Sequence, residues 1–218
     1  MTERILYQFP ISHYCEKSRW QLDHKGLAYR TRNLLPGPHR LRTQWMARIN
    51  TLPVLRDGQR VVGDSTKIAY YLEKHYPERS LIPTDAESRA RVIELEQQLD
   101  RVAVHVRRWL YGQIIDRPEV MDAMLDPYRL PSPVQKVLAP VTREGVRRLY
   151  RIEPKAVAHS GQRLEEGLDL VEQTLRQNRS QLMRLPQVHC AQSYLGASTI
   201  DMLCKEIGLD SSANAPSP

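Results

Sequence analysis

The segment Ser12-His13-Tyr14-Cys15 places a hydroxyl and a thiol three residues apart. It follows the apolar run Ile5-Leu6-Tyr7-Gln8-Phe9 and a break at Pro10, and it opens a run with helical spacing. The first turn of a helix offers backbone N–H groups without intrahelical partners and the positive end of the helix dipole. A sulfur anion is stabilised at such a place, whether it belongs to Cys15 or to a bound thiol. Serine is also a favoured N-cap, so Ser12 has an ordinary structural reason to stand there. Cys15 has one too, as a core thiol on the packed side of the helix. With Ser12 at the first position of what would be a Cys-x-x-Cys pair, a two-thiol redox cycle is excluded at this turn.

A second pair, Asp64-Ser65, precedes another helical run. A helix N-terminus can hold a carboxylate through its free N–H groups, and an Asp beside it can pair with an ammonium group. The same two residues also read as a plain helix cap. The histidines show no metal-ligand spacing, so no metal is expected.

Holding these residues in place requires a small mixed sheet. Strands are expected over residues 4–9, from Leu27 to Leu35 and over 51–56, with Pro36-Gly37-Pro38 ending the second. Asp57-Gly58 is a hairpin turn signal, and Arg60-Val61-Val62 is the returning strand. Helices are expected over 12–25, stopped by Gly26, and from Ser65 to Tyr76, closed by Pro77. Residues 39–48 read as a short basic helix or loop. The order is β-α-β-α-β-β-α. Its crossover helix implies a parallel first pair, and its hairpin an antiparallel edge.

Beyond a linker from Pro77 to Pro83 the pattern becomes all-helical. Thr84-Asp85-Ala86-Glu87 reads as a capping box with Thr84 as the cap. A long helix follows, with Val92, Leu95, Leu99, Val102 and Val106 at helical spacing. The proline-rich stretch 117–140 is expected to form loops around a short helix, followed by helices over 141–150 and 154–177.

With 218 residues, 41% hydrophobic and 26% charged, the composition is that of a soluble globular chain. There is no run of eighteen apolar residues, and no membrane partner is expected. Glu3 and Arg4 occupy the place where the apolar part of a secretory leader would begin. Three cysteines suggest reduced thiols and a cytoplasmic setting. The net charge of +7 comes from scattered arginines, read as solvated helix faces. With a single Phe and no recognised motif, no nucleic-acid partner is expected.

Three segments in register over residues 4–82 resemble the cytosolic glutathione transferases: Ser12-His13-Tyr14-Cys15, Thr51-Leu52-Pro53-Val54-Leu55, and Gly63-Asp64-Ser65-Thr66-Lys67-Ile68-Ala69-Tyr70-Tyr71-Leu72. The resemblance implies a thioredoxin-like N-terminal domain over residues 1–79 and a helical glutathione-transferase-type C-terminal domain over 84–209, while the Ser/Ala/Pro composition of 210–218 reads as a disordered tail. It implies glutathione as co-substrate, a small electrophile as second substrate, and a homodimer. By that resemblance Ser12 matches the catalytic hydroxyl or thiol position. Leu52 matches the residue whose backbone holds the cysteinyl part of glutathione, and Pro53 matches a cis-proline. Asp64 and Ser65 match the clamp on the γ-glutamyl end. His39, Arg40 and Arg42 lie where the family places contacts to the glycyl end.

Ser198-Thr199-Ile200-Asp201 fits the family's capped inner helix, but the chain ends soon after it, so the helical domain is expected to be shortened. Three readings of function follow. One is a transferase in which Ser12 stabilises the glutathione thiolate. The second is a thiol transferase or reductase that uses Cys15. The third is a non-catalytic binding protein with the same fold. An electrophile pocket is expected between the domains, with Val102, Val106, Trp109 and Tyr111 as its helical wall, although such a stripe also reads as core.

Overall fold

The computed structural model describes residues 3–177. The Ser198–Asp201 segment, Cys190, Cys204 and the expected tail lie outside the described residues, as does the expected shortening of the helical domain.

The N-terminal part runs β1 (Arg4–Gln8), α1 (His13–His24), β2 (Arg30–Asn33), α2 (His39–Ala47), β3 (Val54–Asp57), β4 (Arg60–Gly63) and α3 (Ser65–His75). The four strands form one sheet in the order β2-β1-β3-β4. The crossover through α1 makes β1 and β2 parallel, with Ile5 opposite Arg30 and Tyr7 opposite Arg32. β3 lies antiparallel to β1 and to β4, with Leu6 opposite Leu55. This is a mixed sheet of the thioredoxin-like kind.

Alternation along β1 sends Leu6 to one face of the sheet and Ile5 and Tyr7 to the other. Leu6 packs with Leu22 of α1, Leu55, and Ile68 and Leu72 of α3. Ile5 and Tyr7 pack with Cys15, Leu52 and Val54, and Met46 and Ala47 of α2 close over them. α1 stops where expected. Gly26 takes φ +67°, and Leu27 N–H returns to the Leu22 carbonyl at 3.0 Å. β3 starts three residues later than its apolar pattern suggests, because Pro53 has no N–H to give the ladder.

The second part is helical: α4 (Ala86–Ile114), α5 (Pro118–Leu125), a single 3-10 turn at Asp126–Tyr128, α6 (Ser132–Tyr150) and α7 (Pro154–Gln177). Two expectations are corrected here. The N-cap of α4 is Asp85, not Thr84, and its carboxylate accepts the Ser88 N–H at 2.8 Å. The helix opens at Ala86, which puts the amide to be capped three residues beyond Asp85. α6 begins at residue 132, nine residues before the expected start. Proline misleads as a breaker there. Pro118, Pro127 and Pro133 all stand in first turns, where the missing N–H has no helical partner to lose. Pro140 lies inside α6, which continues past it.

α4 carries two working faces. Val102 and Trp109 pack on α7 at Gly167 and Gly161, and Val157 of α7 fills the space over Gly112. Glycine at these crossings lets the two helices approach, since a Cβ on Gly112 would lie 2.6 Å from Val157. On the opposite side, Glu96, Asp100, Arg107 and Tyr111 form a polar stripe at helical spacing. That stripe meets α1 and α6, as the site below shows.

Candidate active site

Ser12 is the N-cap of α1, with extended backbone at φ −82° and ψ 122°. Its carbonyl accepts the Glu16 N–H at 2.8 Å, which starts the helix. Its hydroxyl makes no capping bond to the helix backbone. The half-buried side chain instead stands beside Cys15, whose thiolate it favours. The ordinary reason for a serine at an N-cap is therefore not what this side chain does.

Cys15 is fully buried, in the cluster that holds Ile5, Tyr7, Leu52 and Val54. Burial pushes its thiol pKa up, against hydrogen bonds from the Phe9 backbone and the Ser12 side chain and the charges of Arg19 and Arg107. A thiol held this way stays protonated at neutral pH and is poorly placed to attack an external disulfide. His13, between the two, is buried against the Tyr14 ring at 4.2 Å. Burial first, then the nearby Arg107 and Lys17 charges, lowers its pKa to about 3, so it is a neutral ring at the turn.

Leu52 joins the same cluster as Cys15, and the Leu52-Pro53 bond is cis. The Pro53 carbonyl accepts the Asp64 N–H at 3.1 Å, which fastens the Leu52-Pro53 segment to the start of α3. Asp64 is the N-cap of that helix. One carboxylate oxygen accepts the Thr66 and Lys67 N–H groups at 3.0 and 3.1 Å. Its backbone sits at φ 78° and ψ 131°, a region unfavourable for any residue with a Cβ. Ser65 is buried behind it as the first residue of α3.

Ser12, Cys15, Leu52, Pro53, Asp64 and Ser65 thus lie along one edge of the sheet part, linked by the shared cluster and the Pro53–Asp64 bond. Arg40 does not join them by contact. It is exposed in the first turn of α2, and among the described residues no side-chain contact ties it to the other six. Its neighbours reach further: Arg42 lies over the Tyr7 ring at 5.3 Å, and His39 packs edge-on against Phe9 at 4.7 Å.

The helical part closes over the turn with polar side chains. Lys17, buried on α1, reaches Glu96 at 2.5 Å and Asp100 at 3.7 Å on α4, and donates to Thr66 Oγ1 of α3 at 3.3 Å. Arg107 lies over the Tyr14 ring at 5.1 Å and the Tyr150 ring at 4.9 Å, and donates to the Tyr150 hydroxyl at 3.1 Å. Tyr128 stands on the 3-10 turn that follows α5. Burial raises the hydroxyls of Tyr14 and Tyr128 to about 12, so both remain O–H donors. Of the expected helical wall, Val102 and Trp109 turn to α7, as core side chains do. Lys17, Arg107 and Tyr150 were not expected here. The available signal was the polar stripe Glu96, Asp100, Arg107 and Tyr111, set at the same spacing as the apolar one.

No group of three metal-ligating side chains occurs among the described residues. No helix among them is long and apolar enough to cross a membrane.

Residues 6–80 match the family described as "Glutathione S-transferase, N-terminal domain". Over 90 residues the chain is 38% identical to Glutathione S-transferase 1 of Dianthus caryophyllus, a match that spans 39% of this chain and 40% of that protein. Two solved structures share the fold. A glutathione S-transferase from the Antarctic clam Laternula elliptica is 17% identical with a TM-score of 0.57, covering 96% of this chain and 89% of that one. A glutathione transferase family member from Pseudomonas fluorescens, solved with bound glutathione, is 19% identical with a TM-score of 0.57, covering 99% of this chain and 100% of that one. Residues 6–80 thus match the glutathione S-transferase N-terminal domain, and the described chain shares the two-part fold of these solved structures.

Proposed function

We propose that the chain transfers glutathione to a small electrophile, with the Ser12 hydroxyl donating to the glutathione sulfur. The observation that carries this reading is the half-buried Ser12 side chain at the start of α1, which makes no capping bond and so leaves its hydroxyl free of the helix backbone. A free thiol with a pKa near 8.5 is only a few per cent ionised at neutral pH. A hydroxyl donor and the positive end of α1 both favour the anion. The thiol proton passes to solvent, and the sulfur lone pair attacks the electrophilic carbon. The C–S bond forms as the leaving group departs with its electron pair.

Leu52 and Pro53 would hold the cysteinyl part along the sheet edge. Ser65 would take the γ-glutamyl carboxylate at the start of α3, with Asp64 facing the ammonium. Arg40, on exposed α2, would reach the glycyl carboxylate. The solved relative with bound glutathione supports a glutathione site in this fold.

The alternative that uses Cys15 is less well supported. Its sulfur is fully buried and its pKa is raised by that burial. Calorimetric titration with glutathione tests the reading, and binding in the micromolar to millimolar range is expected. Absence of heat at 10 mM glutathione would remove it in favour of a non-catalytic protein. A mixed disulfide with glutathione that Cys15→Ser abolishes would favour the redox alternative.

A further inference from the structure

Arg107 is a half-buried cation set against the turn that opens α1. It projects from α4 between the rings of Tyr14 and Tyr150. One terminal nitrogen donates to the Tyr150 hydroxyl, and its Nε is buried with no hydrogen-bond partner among the described residues. No carboxylate pairs with it among those residues. Other arginines of the helical part do find one: Arg147 with Asp116, Arg148 with Glu144, Arg163 with Glu166. Its charge is felt at the turn, both by His13 and by Cys15.

A desolvated guanidinium is unfavourable unless an anion or π faces compensate it. Two tyrosine rings offset part of that penalty, and they leave the planar fork able to take an anionic oxygen group in its own plane. The rings themselves offer flat aromatic walls, and the protonated Tyr14 adds an O–H donor.

We propose that Arg107 binds an anionic oxygen group on the second substrate, so that the chain prefers flat electrophiles carrying a carboxylate over neutral ones of the same shape. The inference rests on the glutathione-transfer reading above. Arg107 acts as a specificity determinant: it holds the carboxylate while the glutathione sulfur displaces a leaving group on the ring.

Paired electrophiles test it: 4-chloro-3,5-dinitrobenzoate and the neutral 4-chloro-3,5-dinitrobenzamide, each corrected for its uncatalysed rate. In both, the thiolate forms a C–S bond at the chlorine-bearing carbon and chloride leaves with the electron pair. Wild type should favour the benzoate in kcat/KM. A charge-assisted hydrogen bond contributes about 1.5–3 kcal/mol, so Arg107→Met should lower that preference roughly 10- to 150-fold. The loss should fall on the benzoate KM, with the amide and the glutathione KM within about threefold of wild type. Arg107→Lys, which keeps the charge but not the fork, should lie between.

No preference in wild type overturns the proposal. So does an equal loss on both electrophiles, or a rise in the glutathione KM, since Arg107 would then serve the sulfur, the tripeptide or the fold. If neither electrophile is turned over, the transfer reading fails separately. Calorimetric binding of 3,5-dinitrobenzoate, expected in wild type and lost in Arg107→Met, then decides the present proposal, and no binding to wild type contradicts it.

Discussion

The Asp64 N–H donates to the Pro53 carbonyl at 3.1 Å, and this bond fastens the cis-proline segment to the start of α3. The same Asp64 caps α3 through its side chain while its backbone holds φ 78°. Such backbone geometry costs roughly 1–3 kcal/mol and persists only where surrounding contacts impose it.

Replacing Asp64 separates its two roles. Asp64→Ala should destabilise the protein by about 1 kcal/mol through the lost cap, while Asp64→Asn keeps a capping oxygen and should lie within about 0.5 kcal/mol of wild type. If the carboxylate also faces the glutathione ammonium, Asp64→Asn should still weaken glutathione binding about tenfold. Urea melts and glutathione titrations on both variants check this. Equal affinity in Asp64→Asn and wild type would leave Asp64 as a cap alone.

Lys17 fastens the sheet part to α4. Its side chain is 3% exposed and pairs with Glu96 and Asp100, which are 22% and 33% exposed. Removing one member of a buried pair costs about 3–5 kcal/mol, and an exposed pair contributes about 0–1 kcal/mol. This arrangement lies between, so Lys17→Met should destabilise by about 2–3 kcal/mol in denaturant unfolding. A loss under about 0.5 kcal/mol would show that the carboxylates are satisfied by water.

His13 gives a pH signature with a definite sign. Its folded pKa, about 3, lies below the ordinary value of 6.5, chiefly through burial. The unfolded chain therefore binds a proton that the folded chain refuses between those two values. The associated stability is complete above pH 6.5 and is lost as pH falls towards 3, with a slope of up to about 1.4 kcal/mol per pH unit. Burial lowers His39 and His105 in the same direction. His13→Gln should make the acid side of the stability profile shallower between pH 6 and 4. An unchanged slope would mean that His13 is hydrated in solution.

The glycines of α4 and α6 should respond in opposite ways to a single methyl. A Cβ on Gly112 meets Val157 at 2.6 Å, whereas one on Gly145 meets nothing within 4 Å. Gly112→Ala should cost about 1–3 kcal/mol by overpacking. Gly145→Ala, inside α6, should stabilise by about 0.5–1 kcal/mol through helix propensity. Thermal melts of the two variants test how closely α4 and α7 approach.

The sheet part was legible because its signals are local. Asp57-Gly58 turns the hairpin, Gly26 ends α1, and Leu6 and Tyr7 sort to opposite faces by alternation alone. Ser12 and Asp64 stand out for the same reason, each as the N-cap of a helix, whereas Leu52 stands out through the family resemblance. What was missed depends on distance or on position within an element. Lys17 meets Glu96 across 79 residues, a pairing that no local pattern encodes. Arg107 looks like any solvated arginine until α1 and α6 are seen to enclose it. Proline at 133 and 140 read as a breaker, yet one falls in a first turn and the other is carried inside α6.

The most direct test is the pH dependence of thioether formation in wild type and Ser12→Ala, with glutathione saturating and a reactive aryl chloride as partner. Ser12→Ala should lower kcat about 100-fold, leave the glutathione KM within about threefold of wild type, and raise the apparent pKa of the bound thiol by about a unit or more. Turnover retained in Ser12→Ala with an unshifted pH profile would contradict the role proposed for Ser12.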